Sequence, residues 1–203
     1  MKATTLIYLH GLNSSSRSHK ASVLRERLAP FPVEAIDYPA HRPSEAIACL
    51  SAALAARASA ADWAPPVVIG SSMGGFYGQY LARRFSVSHL FMINPALTPW
   101  TFLTDVLGET LCTADGERYP VTADLIASLR HYGIDDPCDG IPTTLFLDRG
   151  DEVIDPRIAE RLYGRCGRLL IWEGGDHAFQ HLDAAIEVIR AHLEGRADSA
   201  TTP

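Results

Sequence analysis

Pro66-Val67-Val68-Ile69-Gly70-Ser71-Ser72-Met73-Gly74-Gly75 is the stretch whose reading decides the fold. Pro66 to Ile69 is apolar, rich in β-branched residues and bounded by Pro and Gly, which predicts a short buried strand. Phe76 to Phe85 then carries helical spacing. Between the two, Gly70-Ser71-Ser72-Met73-Gly74 fits G-x-S-x-G with Ser72 at its centre. A strand, a tight turn and a helix meeting at a serine expose its hydroxyl above a sheet. The flanking glycines relieve crowding where strand and helix nearly touch. A bare five-residue match is often accidental; the flanking elements give this one meaning. Gly70 and Gly75 also have the glycine spacing of a phosphate loop. Phe76-Tyr77 stand where Lys-Ser/Thr is required, however, and no G-x-G-x-x-G follows the first strand, so nucleotide binding is not expected.

Outward from this turn, strands and helices alternate. On the N-terminal side, Leu6-Ile7-Tyr8-Leu9 reads as a strand and His10-Gly11-Leu12-Asn13-Ser14-Ser15 as its loop. Ser16 or Ser18 caps a helix with Ala21, Leu24 and Leu28 on one face. Val33 to Tyr38 is a second strand. A helix opens at Pro43 with Ile47, Leu50 and Leu54 aligned and continues through an alanine-rich stretch to about Ala61. On the C-terminal side, His89 to Ile93 is a strand stopped by Asn94-Pro95. Later strands are Thr143–Leu147 and Leu169–Trp172, followed by helices at Pro156–Tyr163 and Leu182–Leu193. Such alternation predicts an α/β fold in three layers, with helices on both faces of a mostly parallel sheet of about six strands and right-handed crossovers. Functional groups then gather at the carboxyl ends of the strands. The alternation breaks only between about 96 and 141, where apolar bursts flank a Gly/Asp-rich middle and a short helix is expected from Asp124 to Tyr132. The expected organisation is one domain over 1–195, with 96–141 inserted as a lid and 196–203 as a small, polar, disordered tail.

Composition narrows the function. The chain has 203 residues, 47% of them hydrophobic and 21% charged, ordinary for a globular domain. A net charge of −6 supplies no basic field for nucleic acid or an anionic membrane. No run approaches the roughly 20 apolar residues of a membrane span. The N-terminal apolar run, which ends at His10, is too short for a signal-peptide core. The expectation is therefore a cytoplasmic protein. Cys49, Cys112, Cys138 and Cys166 form no Cys-x-x-Cys pair and are expected to be reduced and unpaired. No pair among the eight histidines has H-E-x-x-H or comparable spacing, so neither metal nor cofactor is implied.

A serine hydroxyl needs an adjacent base, itself oriented by a carboxylate. On this kind of turn the chain order is Ser, then Asp/Glu, then His. After the strand at Thr143–Leu147 comes Asp148-Arg149-Gly150-Asp151-Glu152-Val153-Ile154-Asp155. Asp155 precedes a proline and fits a helix N-cap. Asp148 is still leaving the strand and is expected in local hydrogen bonding. Glu152 competes for the role, but its longer side chain is expected to face solvent. Asp151, just past the loop glycine, is placed to point back over the sheet and is the chosen acid. After the last strand, Gly174-Gly175-Asp176-His177 lets a loop turn over the sheet edge, making His177 the expected base. His181, one helical turn on, is expected at the helix surface. Oxyanion donors are the backbone N–H of Met73 and that of Leu12, delivered by His10-Gly11. The His10 side chain is expected to be structural.

Together these residues resemble the α/β-hydrolase superfamily. More narrowly, Tyr8-Leu9-His10-Gly11-Leu12-Asn13-Ser14-Ser15, Gly70-Ser71-Ser72-Met73-Gly74-Gly75, Asn94-Pro95-Ala96, Gly150-Asp151-Glu152-Val153 and Gly174-Gly175-Asp176-His177-Ala178-Phe179 resemble the small bacterial YqiA-like esterases. The resemblance runs from about Leu6 to Leu193. It implies an α/β-hydrolase fold without the superfamily's first two antiparallel strands, and a carboxylesterase or thioesterase acting on short acyl esters or acyl-CoA thioesters. It places the nucleophile at Ser72, the acid at Asp151 and the base at His177. The alanine- and arginine-rich second helix departs from the pattern and bears on surface and stability rather than chemistry. Leu97, Trp100, Phe102 and Leu103 are acyl-pocket candidates, with packing of the insertion onto the sheet as the competing reading. Rival functions are acyl transfer, C–C or amide hydrolysis by the same triad, and a hydrolase fold kept as a non-catalytic binding module. The expected partner is a small acyl ester or thioester. Neither substrate identity nor oligomeric state is legible.

Overall fold

A computed structural model describes residues 4–59 and 64–195. The expected tail at 196–203 and the end of the alanine-rich stretch, at Ala60 and Ala61, lie outside the described residues. The elements in chain order are β1 (Leu6–Leu9), α1 (His19–Arg27), β2 (Val33–Ile36), α2 (Pro43–Ala58), β3 (Val67–Ser71), α3 (Met73–Ala82), β4 (His89–Ile93) and α4 (Trp100–Asp105). Then follow β5 (Thr110–Cys112), β6 (Arg118–Pro120), α5 (Ala123–Arg130), β7 (Thr143–Asp148), α6 (Pro156–Tyr163), β8 (Arg168–Trp172) and α7 (Leu182–Leu193).

Six strands form one sheet in the order β2-β1-β3-β4-β7-β8, and every pairing in it is parallel. Because helices cover both faces, the strands need apolar residues at successive positions. Leu6, Tyr8, Val67, Ile69, Phe91, Ile93 and Phe146 join one core with Ala21 and Leu24 of α1 and Ile186 and Ile189 of α7. Their strand neighbours Ile7, Leu9, Val68, Leu90, Met92, Leu145 and Leu147 join the other, with Leu50 of α2, Phe76 and Tyr77 of α3 and Ala159 of α6. This two-residue alternation makes the three layers. The chain leaves β1 for β2 on one side, then returns to pair β3 on the other. The order reverses at β1 and β3, so the crevice outside their carboxyl ends is where an open sheet of this kind binds ligands.

Local signals set the helix starts. Ser18, not Ser16, caps α1 by accepting the Ala21 N–H at 3.3 Å, while the Ser16 hydroxyl donates to Asp37 Oδ2 at 2.7 Å. Asp155 caps α6 by accepting the Arg157 N–H at 3.0 Å, with Pro156 at the first helical position.

The segment between β4 and β7 is more ordered than its composition suggests. It holds α4, an antiparallel hairpin of β5 and β6, and α5. Leu97, Leu103, Tyr119, Val121, Ile126 and Leu129 bury into the same core as α2 and α3. Its hairpin is pinned to the loop after β1 by the Tyr119 hydroxyl, which donates to Asn13 Oδ1 at 2.8 Å, and by an Arg17–Asp115 ion pair at 2.6 Å.

The expected set of unpaired cysteines is corrected. Cys138 and Cys166 form a disulfide across a Cα–Cα distance of 5.4 Å, leaving Cys49 and Cys112 free. Both bonded cysteines sit in the loops that enter the neighbouring strands β7 and β8, so the sheet brings together residues that are 28 apart in sequence. Among the described residues, no helix is long and apolar enough to cross a membrane.

Candidate active site

Ser72 occupies the turn between β3 and α3 with φ 54° and ψ −118°. A non-glycine residue in such backbone is strained by on the order of 1–3 kcal/mol and persists only where its surroundings fix it. Here they do. The Ser72 N–H donates to the Ile93 carbonyl at 3.0 Å, and the Ser72 carbonyl accepts from Gly75 at 2.9 Å and Ala96 at 3.1 Å. The flanking glycines leave room for the turn. A Cβ on Gly70 would stand 2.4 Å from the Gly74 carbonyl oxygen, and one on Gly74 would stand 2.0 Å from the Leu9 carbonyl oxygen. The turn therefore lies directly against the end of β1.

His177 comes from the loop between β8 and α7, and Asp151 from the loop after β7. The Ser72 Oγ is 3.1 Å from His177 Nε2. On the other side of the ring, Nδ1 is 3.0 Å and 2.9 Å from the two carboxylate oxygens of Asp151. The Asp151 side chain is only 1% exposed and also accepts the N–H groups of Val153 at 2.9 Å and Ile154 at 2.8 Å. Its carboxylate is thus aimed by its own loop before it meets the imidazole. The carboxylate contact favours the Nδ1–H tautomer, which presents a bare Nε2 to the serine hydroxyl.

One sequence expectation about this region is extended and another is corrected. Glu152 is exposed, as expected, and its Oε2 also accepts the His177 backbone N–H at 3.0 Å, because the His177 loop folds back over the Asp151 loop. His181 is not a free surface group, since it stands at the start of α7 with Nδ1 2.6 Å from Asp148 Oδ1. Asp148 is fully buried, and its Oδ2 accepts the Gln180 N–H at 2.7 Å. Sequence reasoning gave Asn94 no role of its own beyond stopping a strand and carrying part of the family resemblance. Its Oδ1 accepts the Asp148 N–H and its Nδ2 donates to the Asp176 carbonyl, both at 2.9 Å, so one amide ties the ends of β4 and β7 to the His177 loop.

On the loop after β1, Gly11 presses on the serine: a Cβ there would lie 3.2 Å from Ser72 Cβ and 3.7 Å from Oγ. Leu12 follows it and lines the same cavity as Ser72. Met73 opens α3, and an N–H in the first turn of a helix has no intrahelical acceptor. The His10 ring is buried against Tyr38 at 4.3 Å, with Nδ1 2.8 Å from the Gly11 carbonyl, and burial holds its pKa below the ordinary imidazole value.

A cavity of about 690 Å³ opens at Ser72 and His177, walled by Tyr8, Leu12, Val23, Phe179 and Leu182. It lies on the α1 and α7 side. Leu97, Trp100, Phe102 and Leu103 do not line it: Leu97 and Leu103 are buried in the opposite core, and Trp100 and Phe102 pack against that core. Burial thus favours the packing alternative for these residues, since apolar spacing marks burial without saying which surface does the burying. Among the described residues, no group of three or more His, Cys, Asp or Glu side chains could hold a metal ion.

Comparison with known proteins agrees with this architecture. Residues 5–194 match the model of an uncharacterised protein family, UPF0227. Est1E from Butyrivibrio proteoclasticus superposes with a TM-score of 0.76 at 16% identity, covering 96% of this chain and 88% of that one. A monoacylglycerol lipase from Paleococcus ferrophilus superposes at 0.70 with 17% identity, covering 97% and 96%. The esterase domain of a Rhodothermus marinus protein superposes at 0.69 with 17% identity, covering 96% and 87%. At these identities the likeness establishes the α/β-hydrolase fold.

Proposed function

The chain belongs to the UPF0227 family, and from that premise we propose that it is a serine hydrolase that cleaves carboxylic esters through an acyl-enzyme. The observation that carries this reading is the unbroken line from Ser72 Oγ through His177 to Asp151, with contacts of 3.1 Å and 2.9 Å. Ser72 attacks the ester carbonyl carbon while His177 Nε2 takes its proton. Asp151 keeps the ring in the required tautomer and stabilises the imidazolium. The N–H groups of Leu12 and Met73 bind the oxyanion of the tetrahedral intermediate. His177 returns the proton to the departing alcohol, then activates a water that releases the acid and frees Ser72. A thioester follows the same course with a thiol as leaving group.

Support comes from the joint arrangement. The three groups sit on three separate loops at the carboxyl ends of β3, β7 and β8, on a serine turn held in strained backbone. We read residues 1–195 as one hydrolase domain with the insertion at 96–141. The test is turnover of p-nitrophenyl acetate, butyrate and longer esters, and of matched thioesters, by the protein and by Ser72→Ala. Loss of turnover in the variant supports the reading, and the chain-length preference sizes the cavity. Equal rates in both proteins exclude Ser72 as nucleophile. Absence of labelling by a fluorophosphonate, with no turnover of any substrate, leaves the binding-module reading.

A further inference from the structure

The cavity at Ser72 contains a cation that the ester chemistry above does not use. Lys20, the second residue of α1, lines the cavity with Ser72 and His177. Its Nζ donates to the carbonyl of Ala178 at 2.9 Å, one residue past His177, so the ammonium sits beside the reacting groups. That acceptor is neutral. Among the described residues Lys20 makes no ion pair, whereas Arg27, the other long cation of the cavity, is held by Asp183 at 2.9 Å. An ammonium has three donors, and one bond to a carbonyl leaves two of them for a ligand. The first turn of α1 carries no acid to compete. Glu26, which also lines the cavity, is six residues further on, roughly 9 Å along the helix axis. Burial lowers the Lys20 pKa to about 8, while Asp148, Asp176 and Asp151 pull it back up. The charge is therefore poorly solvated and incompletely compensated, a condition that an anionic ligand would relieve.

Resting on the hydrolase reading above, we propose that Lys20 determines specificity by binding an anionic group, carboxylate or phosphate, carried by the substrate that Ser72 attacks. The anion could stand on the acyl side or on the leaving group, and matched pairs separate the two. For the acyl side the pair is p-nitrophenyl monoadipate against p-nitrophenyl hexanoate. For the leaving group it is 4-acetoxybenzoate against 4-acetoxybenzamide.

The quantity to measure is the ratio of kcat/KM for the anionic ester to that for its neutral partner, in the wild type, Lys20→Met, Lys20→Gln and Lys20→Arg. A ratio cancels any general loss that follows from breaking the Lys20–Ala178 contact. A charge-assisted hydrogen bond implies that the ratio for one pair falls on the order of 10–100-fold in Lys20→Met and Lys20→Gln. Lys20→Arg, which keeps the charge, recovers much of it. Ratios that are the same in wild type and both neutral variants, for both pairs, overturn the inference while leaving the hydrolase reading intact. If the wild type turns over none of the four esters, no ratio can be formed, and the hydrolase reading is decided by its own test above. Anion binding is then read by calorimetric titration of Ser72→Ala with monomethyl adipate and with 4-acetoxybenzoate, with and without Lys20→Met. Binding lost with the lysine supports the anion site, and equal affinities, or no binding to either protein, overturn it.

Discussion

Asp148 Oδ1 and His181 Nδ1 meet at 2.6 Å, forming a second carboxylate–imidazole pair one loop behind the one that meets Ser72. The Asp148 side chain is fully buried and His181 is stacked on Trp172, with ring centroids 5.4 Å apart. The neighbouring turn is built around this carboxylate. Gly175 has φ +73°, and a Cβ there would fall 2.0 Å from Asp148 Oδ2. Replacing Asp148 by Ala strands the Gln180 N–H and the His181 ring, at about 1–3 kcal/mol per unpaired donor. We expect a lower denaturation midpoint and, through displacement of the His177 loop, a loss of up to about 10²-fold in kcat/KM.

Asp151→Asn should behave in the opposite way. An amide oxygen can still accept from Val153 and Ile154, so unfolding should change little. The tautomer of His177 is no longer enforced, and a loss of about 10⁴ in kcat is expected. Esterase assays and urea melts on both variants decide between the two acids. If Asp148→Ala proved the more damaging to turnover with folding intact, the assignment of the acid would pass to Asp148.

Most of the fold was legible because parallel strands covered on both faces are short, uninterrupted apolar runs. The serine turn was legible because Gly70 and Gly74 are required within the same few residues that they serve. What escaped the sequence depends on contacts between distant residues. Asn94 acts on partners 54 and 82 positions away, Glu152 on one 25 away, and Lys20 on one 158 away. The hairpin of β5 and β6 escaped because each of its strands has only three residues, too few to show a period. Leu97 and Leu103 could be read from the sequence either as pocket or as packing residues, since hydrophobicity alone does not name the surface that is covered, and in the structure both are buried in the core.

Gly74→Ala tests the closeness of the serine turn to β1. Its methyl group would overlap the Leu9 carbonyl, and α3 would have to move away from the sheet. Overpacking of this kind costs about 1–3 kcal/mol. Turnover should fall further than stability explains, because Met73 and Leu12 lie on the two elements pushed apart. Gly108→Ala is the control: its φ is +89° and its Cβ would meet nothing within 4 Å. It should cost about 1–2 kcal/mol of backbone strain and leave turnover unchanged. Equal effects of the two substitutions on turnover would contradict the packing account.

The disulfide makes a chemical prediction. Denatured, unreduced protein should titrate the two thiols of Cys49 and Cys112 and release the remaining pair only after reduction. The bond closes a loop with a sequence separation of 28, which corresponds to roughly 3–4 kcal/mol of stabilisation in the chain-entropy account. Cys138→Ser combined with Cys166→Ser should therefore unfold at markedly lower denaturant, with the slope showing whether the unfolded ensemble has expanded. Four reactive thiols in protein purified without reductant would show that the bond does not form.

Substrate discrimination by Lys20 should depend on pH with a definite sign. The lysine carries its charge below its pKa, which burial brings down to about 8. Preference for an anionic ester over its neutral partner is then full near pH 7 and declines as pH rises through about 8. A surface lysine would hold its preference to around pH 10. Asp148, Asp151 and Asp176 oppose the lowering, and His19, Glu26, Arg27, His177 and Asp183 share the cavity. His177 serves the turnover of both esters, so dividing one kcat/KM profile by the other cancels its contribution. The expected ratio is a single descending step that Lys20→Arg shifts beyond the accessible range, since a guanidinium does not lose its proton there. A ratio flat from pH 6 to 10 in the wild type would place the charge that selects the substrate on some group other than Lys20.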